Sequence, residues 1–219
     1  PERVSPISGD DNVIEVIEVF SYACPACNDF EPYFPQWDEA TKSDESIKTL
    51  RLAASGNGLW ELYAKTFYAL EAMNALDKGH QAFFDAIHKD RKRFINEKQI
   101  AKFMGSIGID EERFLKAWNS FSAKSSFNRA NTLLMEQYRI PYTPVVIVDG
   151  RYTVDAQSAQ ARPEAVSPYE KIMLTVDELI HTIKAERNLS DNIDEDTNLP
   201  EESAQAEAEE KQKTQEEQN

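Results

Sequence analysis

The sequence predicts an α/β fold whose chain is interrupted by an all-helical block. Three observations predict it. A β-α-β order opens the chain, helical periodicity then runs for about 75 residues, and strand character returns as β-β-α.

Residues 13–20 (VIEVIEVF) are mostly β-branched, lack a turn former, and put apolar side chains on both faces, as in an interior strand. A helical stretch follows from 24 to 41, with Pro32 and Pro35 inside it predicting a kink or break. Residues 47–52 (IKTLRL) read as a second strand. Two strands joined through a helix favour a parallel pair. Leu59, Leu62, Tyr63, Phe67, Leu70 and Met73 then keep helical spacing, as do Phe83, Phe84 and Ile87. A third helix carries Ile100, Phe103, Met104 and Ile107 and stops near Gly108. Asp110 is a suitable N-cap for a fourth, with Phe114, Leu115, Trp118 and Phe121 turned inward. A longer helix spans 122–138. Residues 144–148 and 151–154 flank Asp149-Gly150, a hairpin signal in which both turn residues take positive φ. An amphipathic helix over 168–187 closes the folded part.

Acidic residues outnumber basic ones 39 to 24, a net charge of −15. That excludes a nucleic-acid scaffold held by phosphate contacts. Apolar residues make up 41% of the chain, enough for a core, and no apolar run is long enough to span a membrane. Two cysteines exclude a disulfide-dense scaffold. Residues 190–219 hold 11 acidic and 2 basic residues and lack aromatics. Such a segment cannot bury enough surface to offset its ordering entropy. The expected organisation is a domain from 7–56 and 131–188, a helical insert at 57–130, and an acidic disordered tail at 189–219, with helix around 201–218 only conditionally. The tail reads as a solubilising extension. Pro1 is preceded by no Met, basic region or apolar core, so the chain either starts mid-protein or has lost a targeting segment.

The chemistry concentrates in Cys24-Pro25-Ala26-Cys27, which follows a strand and opens a helix. A thiol at a helix N-terminus meets unpaired N–H groups and the positive end of the dipole, both of which favour thiolate. Pro25 sits where a helix needs no N–H donor. Cys27 lies one turn on, close enough to resolve a mixed disulfide formed at Cys24. Half a zinc site would need ligands that His80, His88 and His181 are too distant to supply. A haem attachment would need His where Asn28 stands, and a purely structural bridge stays open. Tyr142-Thr143-Pro144 precedes the third strand. Pro144 is either a plain strand-start proline in trans or a cis-proline beside the sulfurs, with the Thr143 backbone turned outward.

These segments together resemble the DsbA family of periplasmic dithiol oxidases, over residues 12–187. The carriers are EVFSYACPAC, AWNSFSAKSSF (117–127) and IPYTPVVIVDGRY (140–152). The resemblance implies a thioredoxin-like fold with a helical insert, a nucleophilic Cys24, a resolving Cys27 and a cis Pro144. It implies that Glu18 is a buried acid behind the disulfide, where a raised pKa would let it exchange protons with Cys27. It also implies a monomer exported to the periplasm with a cleaved signal. Its substrates would be reduced or unfolded exported proteins, and a membrane, quinone-linked DsbB-like oxidase would recharge it. The redox group would be the Cys24–Cys27 disulfide itself, with no organic cofactor or metal. Ala26 departs from the pattern, because the best-known relative has His there. Losing that cation predicts a less strongly oxidising couple. Thr143 adds a hydroxyl near the sulfurs.

The aromatics near the motif are mainly core, with Tyr22, Tyr142, Pro25 and Ala26 as candidate substrate-groove residues. Trp60, Phe67 and Trp118 read as insert core, and the three histidines as solvated. The expected function is disulfide donation. The rivals are a reductase or isomerase on the same fold, and a non-catalytic binding module. A glutathione transferase is disfavoured because it has no use for a second cysteine.

Overall fold

The structure is a computed structural model, and it describes residues 3–56, 58–161 and 166–197. Four strands form one sheet in the order β2-β1-β3-β4. Strand β1 (Ile14–Phe20) is buried along its whole length, as its two-faced apolar pattern predicts. It pairs parallel to β2 (Ile47–Ala53), with Glu18 opposite Arg51, and antiparallel to β3 (Val145–Val148).

The crossover from β1 to β2 holds α1 (Pro25–Phe30) and α2 (Tyr33–Thr41). The helix breaks at Pro32, which lacks the N–H to continue the ladder. Pro35 is tolerated because it falls in the first turn of α2, where N–H groups have no helical acceptor.

Five α-helices make up the insert: α3 (Leu59–Ala72), α4 (Leu76–His88), α5 (Glu97–Ser106), α6 (Glu111–Trp118) and α7 (Phe121–Thr132). Asp110 caps α6, its carboxylate accepting the Arg113 N–H at 2.7 Å, and Ser120 caps α7. Gly108 ends α5 with φ near 80°, and the Ile109 N–H returns to the Met104 carbonyl. The long helix expected over 122–138 is α-helical only to Thr132 and continues as a π-helical turn, Leu133–Gln137. Two side chains expected inside lie outside. Phe121 is 87% exposed, because as first residue of α7 it precedes the buried stripe, and Trp60 is 37% exposed at the start of α3. Phe67 is buried and Trp118 half-buried.

The hairpin to β4 (Tyr152–Val154) turns through Asp149 and Gly150, both at positive φ. Val148 faces Tyr152, so Arg151 is one residue more than a two-residue loop requires. A Cβ at Gly150 would lie 2.4 Å from the Val4 carbonyl, which makes glycine obligatory there.

The last helix, α8, spans Pro168–Thr197. It continues into the segment expected to be disordered; residues 198–219 lie outside the described residues. The chain forms two compact units, Pro1–Leu179 and Ile180–Asn219. Sheet and insert share the first unit because one aromatic core runs through both: Phe20 of β1 meets Phe67 of α3 at 5.2 Å and Phe84 of α4 at 5.7 Å.

Candidate active site

Strand β1 delivers the chain into a turn, Ser21–Cys24, closed by the Cys24 N–H on the Ser21 carbonyl at 3.0 Å. Cys24 is the N-cap of α1 and Pro25 its first helical residue, as the motif predicts. Cys24 is 8% exposed and Cys27 fully buried, both as free thiols. Across the cleft, the Thr143-Pro144 peptide bond is cis. Cys24 Sγ donates to the Thr143 carbonyl at 3.4 Å, and the Ser21 N–H points at Cys27 Sγ at 3.5 Å. The structure thus brings Cys24, Cys27, Thr143 and Pro144 together.

The two thiols are pushed apart in acidity. Cys24 is lowered to about 5, first by a hydrogen bond from Cys27, then by Thr143 and the backbone N–H groups of Cys27 and Ala26; burial opposes them. The sequence reading puts the helix terminus first, but the partner thiol contributes most. Cys27 is pushed far up by burial, and further by the hydrogen bond and charge it shares with Cys24. One sulfur is thus an anion at neutral pH while the other holds its proton.

Glu18 is completely buried on β1. Its carboxyl is raised to about 8 by burial, against the pull of Arg51 and with the help of Glu31. Arg51 Nε lies 3.0 Å from Glu18 Oε2 but is not aligned to donate, so neither Glu18 oxygen is hydrogen-bonded. Arg51 also bonds Glu31 Oε1 at 2.9 Å.

The histidines correct the sequence reading. His181 is exposed, but His80 is buried, and it joins Glu31 at 2.9 Å through Nε2 and the Tyr22 hydroxyl at 2.7 Å through Nδ1. Burial lowers its pKa, so it is a neutral ring whose Nε2–H donates to Glu31 and whose Nδ1 accepts from Tyr22. His88 is half-buried, with Nε2 2.8 Å from the Tyr22 carbonyl. Tyr22 is 1% exposed, so it is a buried anchor of the cysteine turn rather than a groove residue. The signal was the α4 stripe His80, Phe84, His88, spaced by four on one helix face. Glu15 is likewise structural: its carboxylate accepts the Ile7 and Ser8 N–H groups at 2.8 and 2.6 Å. Replacing His80 by leucine removes a donor from Glu31 and leaves the Tyr22 hydroxyl without an acceptor. The expected loss is about 2–4 kcal/mol, read as a lower denaturation midpoint at unchanged slope.

Pro25 is exposed and Ala26 half-buried beside Cys24. Tyr142 is 53% exposed and donates its hydroxyl to Asp155. Sequence reasoning missed Tyr169 of α8. Its phenol is raised by burial, then by the charges of Asp29 and both cysteines, and its ring lies 5.8 Å from Phe30 and 5.7 Å from Tyr33. Among the described residues no group of three His, Cys, Asp or Glu side chains is placed to hold a metal ion.

The DSBA-like thioredoxin domain profile matches residues 15–166. The chain is 42% identical over 146 residues to the thiol:disulfide interchange protein DsbA of Azotobacter vinelandii, covering 67% of each chain. Against the protein of that name from Pseudomonas aeruginosa, identity is 36% over 153 residues, covering 70% of this chain and 71% of that one. The crystal structure of Pseudomonas aeruginosa DsbA superposes with a TM-score of 0.76 at 33% identity, covering 85% of this chain and 91% of that one.

Proposed function

Because this chain belongs to the DsbA family, with its thioredoxin domain and helical insertion, we propose that Cys24 and Cys27 are its redox pair and that it donates their disulfide to reduced exported proteins in the periplasm. The chain is a thiol:disulfide oxidoreductase. In our reading it acts as a monomer, and a quinone-linked membrane oxidase of the DsbB kind recharges it. Among the described residues no helix is long and apolar enough to cross a membrane.

The steps follow from the two thiol acidities. A substrate thiolate attacks Cys24 Sγ of the disulfide. The S–S bond breaks, a mixed disulfide forms at Cys24, and Cys27 leaves as a thiolate that takes a proton from Glu18. The substrate's second thiolate then attacks its own sulfur in the mixed disulfide and expels Cys24. The substrate is oxidised by two electrons and the pair is reduced. Cys24 leaves well because its anion is stable. The Cys27 thiol and the Ala26 and Cys27 N–H groups hold that anion, and Pro144 closes the far side. Neither Glu18 oxygen bonds Cys27 in the dithiol form, so the transfer needs a side-chain swing or a bridging water.

The observation that carries this reading is the placement of Cys24 at the N-cap of α1, with Cys27 one turn on and the Thr143 carbonyl 3.4 Å away, a setting that lowers its thiol to about 5. At pH 7 that stabilises the reduced form by roughly 3 kcal/mol relative to an ordinary thiol, about 60 mV in a two-electron couple. Equilibration with glutathione buffers tests it. The expected potential is well above the roughly −300 mV of structural disulfides; a value at or below that would mean a reductase or an inert bridge.

Ala26 limits the poise. Ala26→His places a cation beside the Cys24 thiolate and raises the potential by tens of millivolts, at about 30 mV per tenfold. The same titration reads it, and an unchanged potential would remove position 26 from the account.

A further inference from the structure

Two carboxyls and one guanidinium are buried together behind the cysteine turn. Glu18 is fully buried on β1, and Glu31 is 3% exposed just after α1. Arg51 of β2 lies against both, with Nε 3.0 Å from Glu18 Oε2 and Nη1 2.9 Å from Glu31 Oε1. One cation cannot balance two buried carboxylates, so one of the pair holds a proton. The hydrogen bonds divide the two unequally. Glu31 Oε1 accepts from Arg51 and from His80 Nε2, each at 2.9 Å, while neither Glu18 oxygen is hydrogen-bonded. A hydrogen bond into a carboxylate favours its charged form, so the charge rests on Glu31 and the proton on Glu18.

What His80 contributes depends on which ring nitrogen carries the hydrogen, and Tyr22 decides it. The buried Tyr22 hydroxyl lies 2.7 Å from His80 Nδ1. In a neutral imidazole one nitrogen donates and the other accepts. A phenol donating to Nδ1 puts the ring hydrogen on Nε2, toward Glu31. Aromatic surroundings keep the ring neutral: the Phe20, Phe84 and Phe67 centroids lie 5.1, 5.3 and 6.0 Å from its own. The titratable and charged groups facing one another here are Glu18 from β1, Arg51 from β2 and His80 from α4, with Tyr22 before α1 and Glu31 after it.

We propose that Tyr22 and His80 are positioning residues for the exchange reaction: together they hold the anion on Glu31 and so leave the exchangeable proton on Glu18. The proposal rests on the exchange reading above for the use of that proton, which Glu18 passes to Cys27. Tyr22 acts through His80, and His80 through Glu31. With the hydrogen on Nδ1 instead, Nε2 would turn a lone pair toward Glu31. Glu31 would then take the proton, Arg51 would hold Glu18 as the anion, and the proton donor would be lost with no change at the cysteines.

The proton is located in the oxidised protein at pH 6 by carbon-13 spectra of the glutamate side chains, with Glu18→Gln assigning the Glu18 signal. In wild type the Glu18 carboxyl resonates as the acid. His80→Leu removes the donor, and loss of a charge-assisted hydrogen bond shifts the division of the proton about tenfold or more. The Glu18 signal then moves at least about halfway to its carboxylate position. His80→Gln, whose amide N–H takes the place of Nε2–H, restores the wild-type signal. Tyr22→Phe moves it in the same direction as leucine, by less. A Glu18 signal unmoved in His80→Leu, or in Tyr22→Phe where the leucine variant does not fold, overturns the proposal. So does a wild-type Glu18 that is already carboxylate at pH 6. Equal movement in the leucine and glutamine variants overturns it too, since the packing of the ring and not its donor would then be at work. Oxidation of a reduced dithiol peptide is read separately; its absence in wild type overturns the exchange reading, whereas the spectra alone decide where the proton sits.

Discussion

Cys24→Ser lowers the rate of disulfide exchange by at least about 10³-fold, whereas in Cys27→Ser the Cys24 thiolate still attacks a substrate disulfide, expels one substrate thiolate, and accumulates as a mixed disulfide that no second thiol resolves. The asymmetry follows from the two thiols. A serine hydroxyl at 24 cannot ionise near neutral pH, so both the attacked sulfur and the good leaving group are lost. A serine at 27 leaves the Cys24 environment largely in place. It does remove the partner thiol, the largest contributor to Cys24 acidity. The Cys24 pKa in that variant should therefore rise from about 5 while staying below an ordinary thiol, because Thr143 and two backbone N–H groups remain. Insulin reduction by dithiothreitol reads the rate, and thiolate absorbance against pH reads the ionisation. Equal activity of Cys24→Ser and wild type would point to a binding module.

The second large effect belongs to Glu18. Its folded-state carboxyl titrates near 8, against 4.5 for the ordinary group. Between those values the folded protein keeps a proton that the unfolded chain has lost. Stability is therefore whole below about pH 4.5 and falls as pH rises to about 8, by roughly 5 kcal/mol in all. Glu18→Gln removes the ionisation and flattens this window. Above pH 8 the variant is then the more stable protein, by several kcal/mol, less whatever Arg51 loses with its partner. The comparison belongs to the oxidised protein, since reduced Cys24 shifts oppositely: its stabilisation is lost as pH falls from 9 towards 5. Denaturant midpoints at pH 5, 7 and 9 settle it. Parallel pH curves for wild type and Glu18→Gln would show that Glu18 ionises freely in the folded state. If Glu18 supplies the proton as proposed above, the variant also slows release of Cys27.

Much of this was legible in the chain. Strand β1 announced its interior position through β-branched residues on both faces, because a strand covered on both sides has no polar side to show. Asp110 and Gly108 mark helix ends through their own local hydrogen bonds. The cysteine motif, read with the strand before it and the helix after it, placed Cys24 at the N-terminus of α1 and Cys27 one turn on. Thr143 and Pro144 were visible as a strand-start motif, although Pro144 alone permitted either isomer.

The rest depended on which surfaces meet. His80 and His88 looked like surface residues, because nothing local distinguishes a histidine that faces solvent from one that faces a neighbouring aromatic core. Tyr22 carried equal apolar and polar character, and only the approach of α4 turned it into a buried anchor. Trp60 and Phe121 read as insert core yet fell at first turns, outside the packed face. Local sequence determined the order of the main helices and strands and where the thiols lie, since caps, turns and periodicity act over a few residues. Tertiary packing alone decided the acidity of Glu18, the burial of His80 and the partners of Glu31, because burial and charge there are set by groups that are far apart along the chain, whereas the acidity of Cys24 rests mainly on Cys27 and backbone N–H groups within three residues.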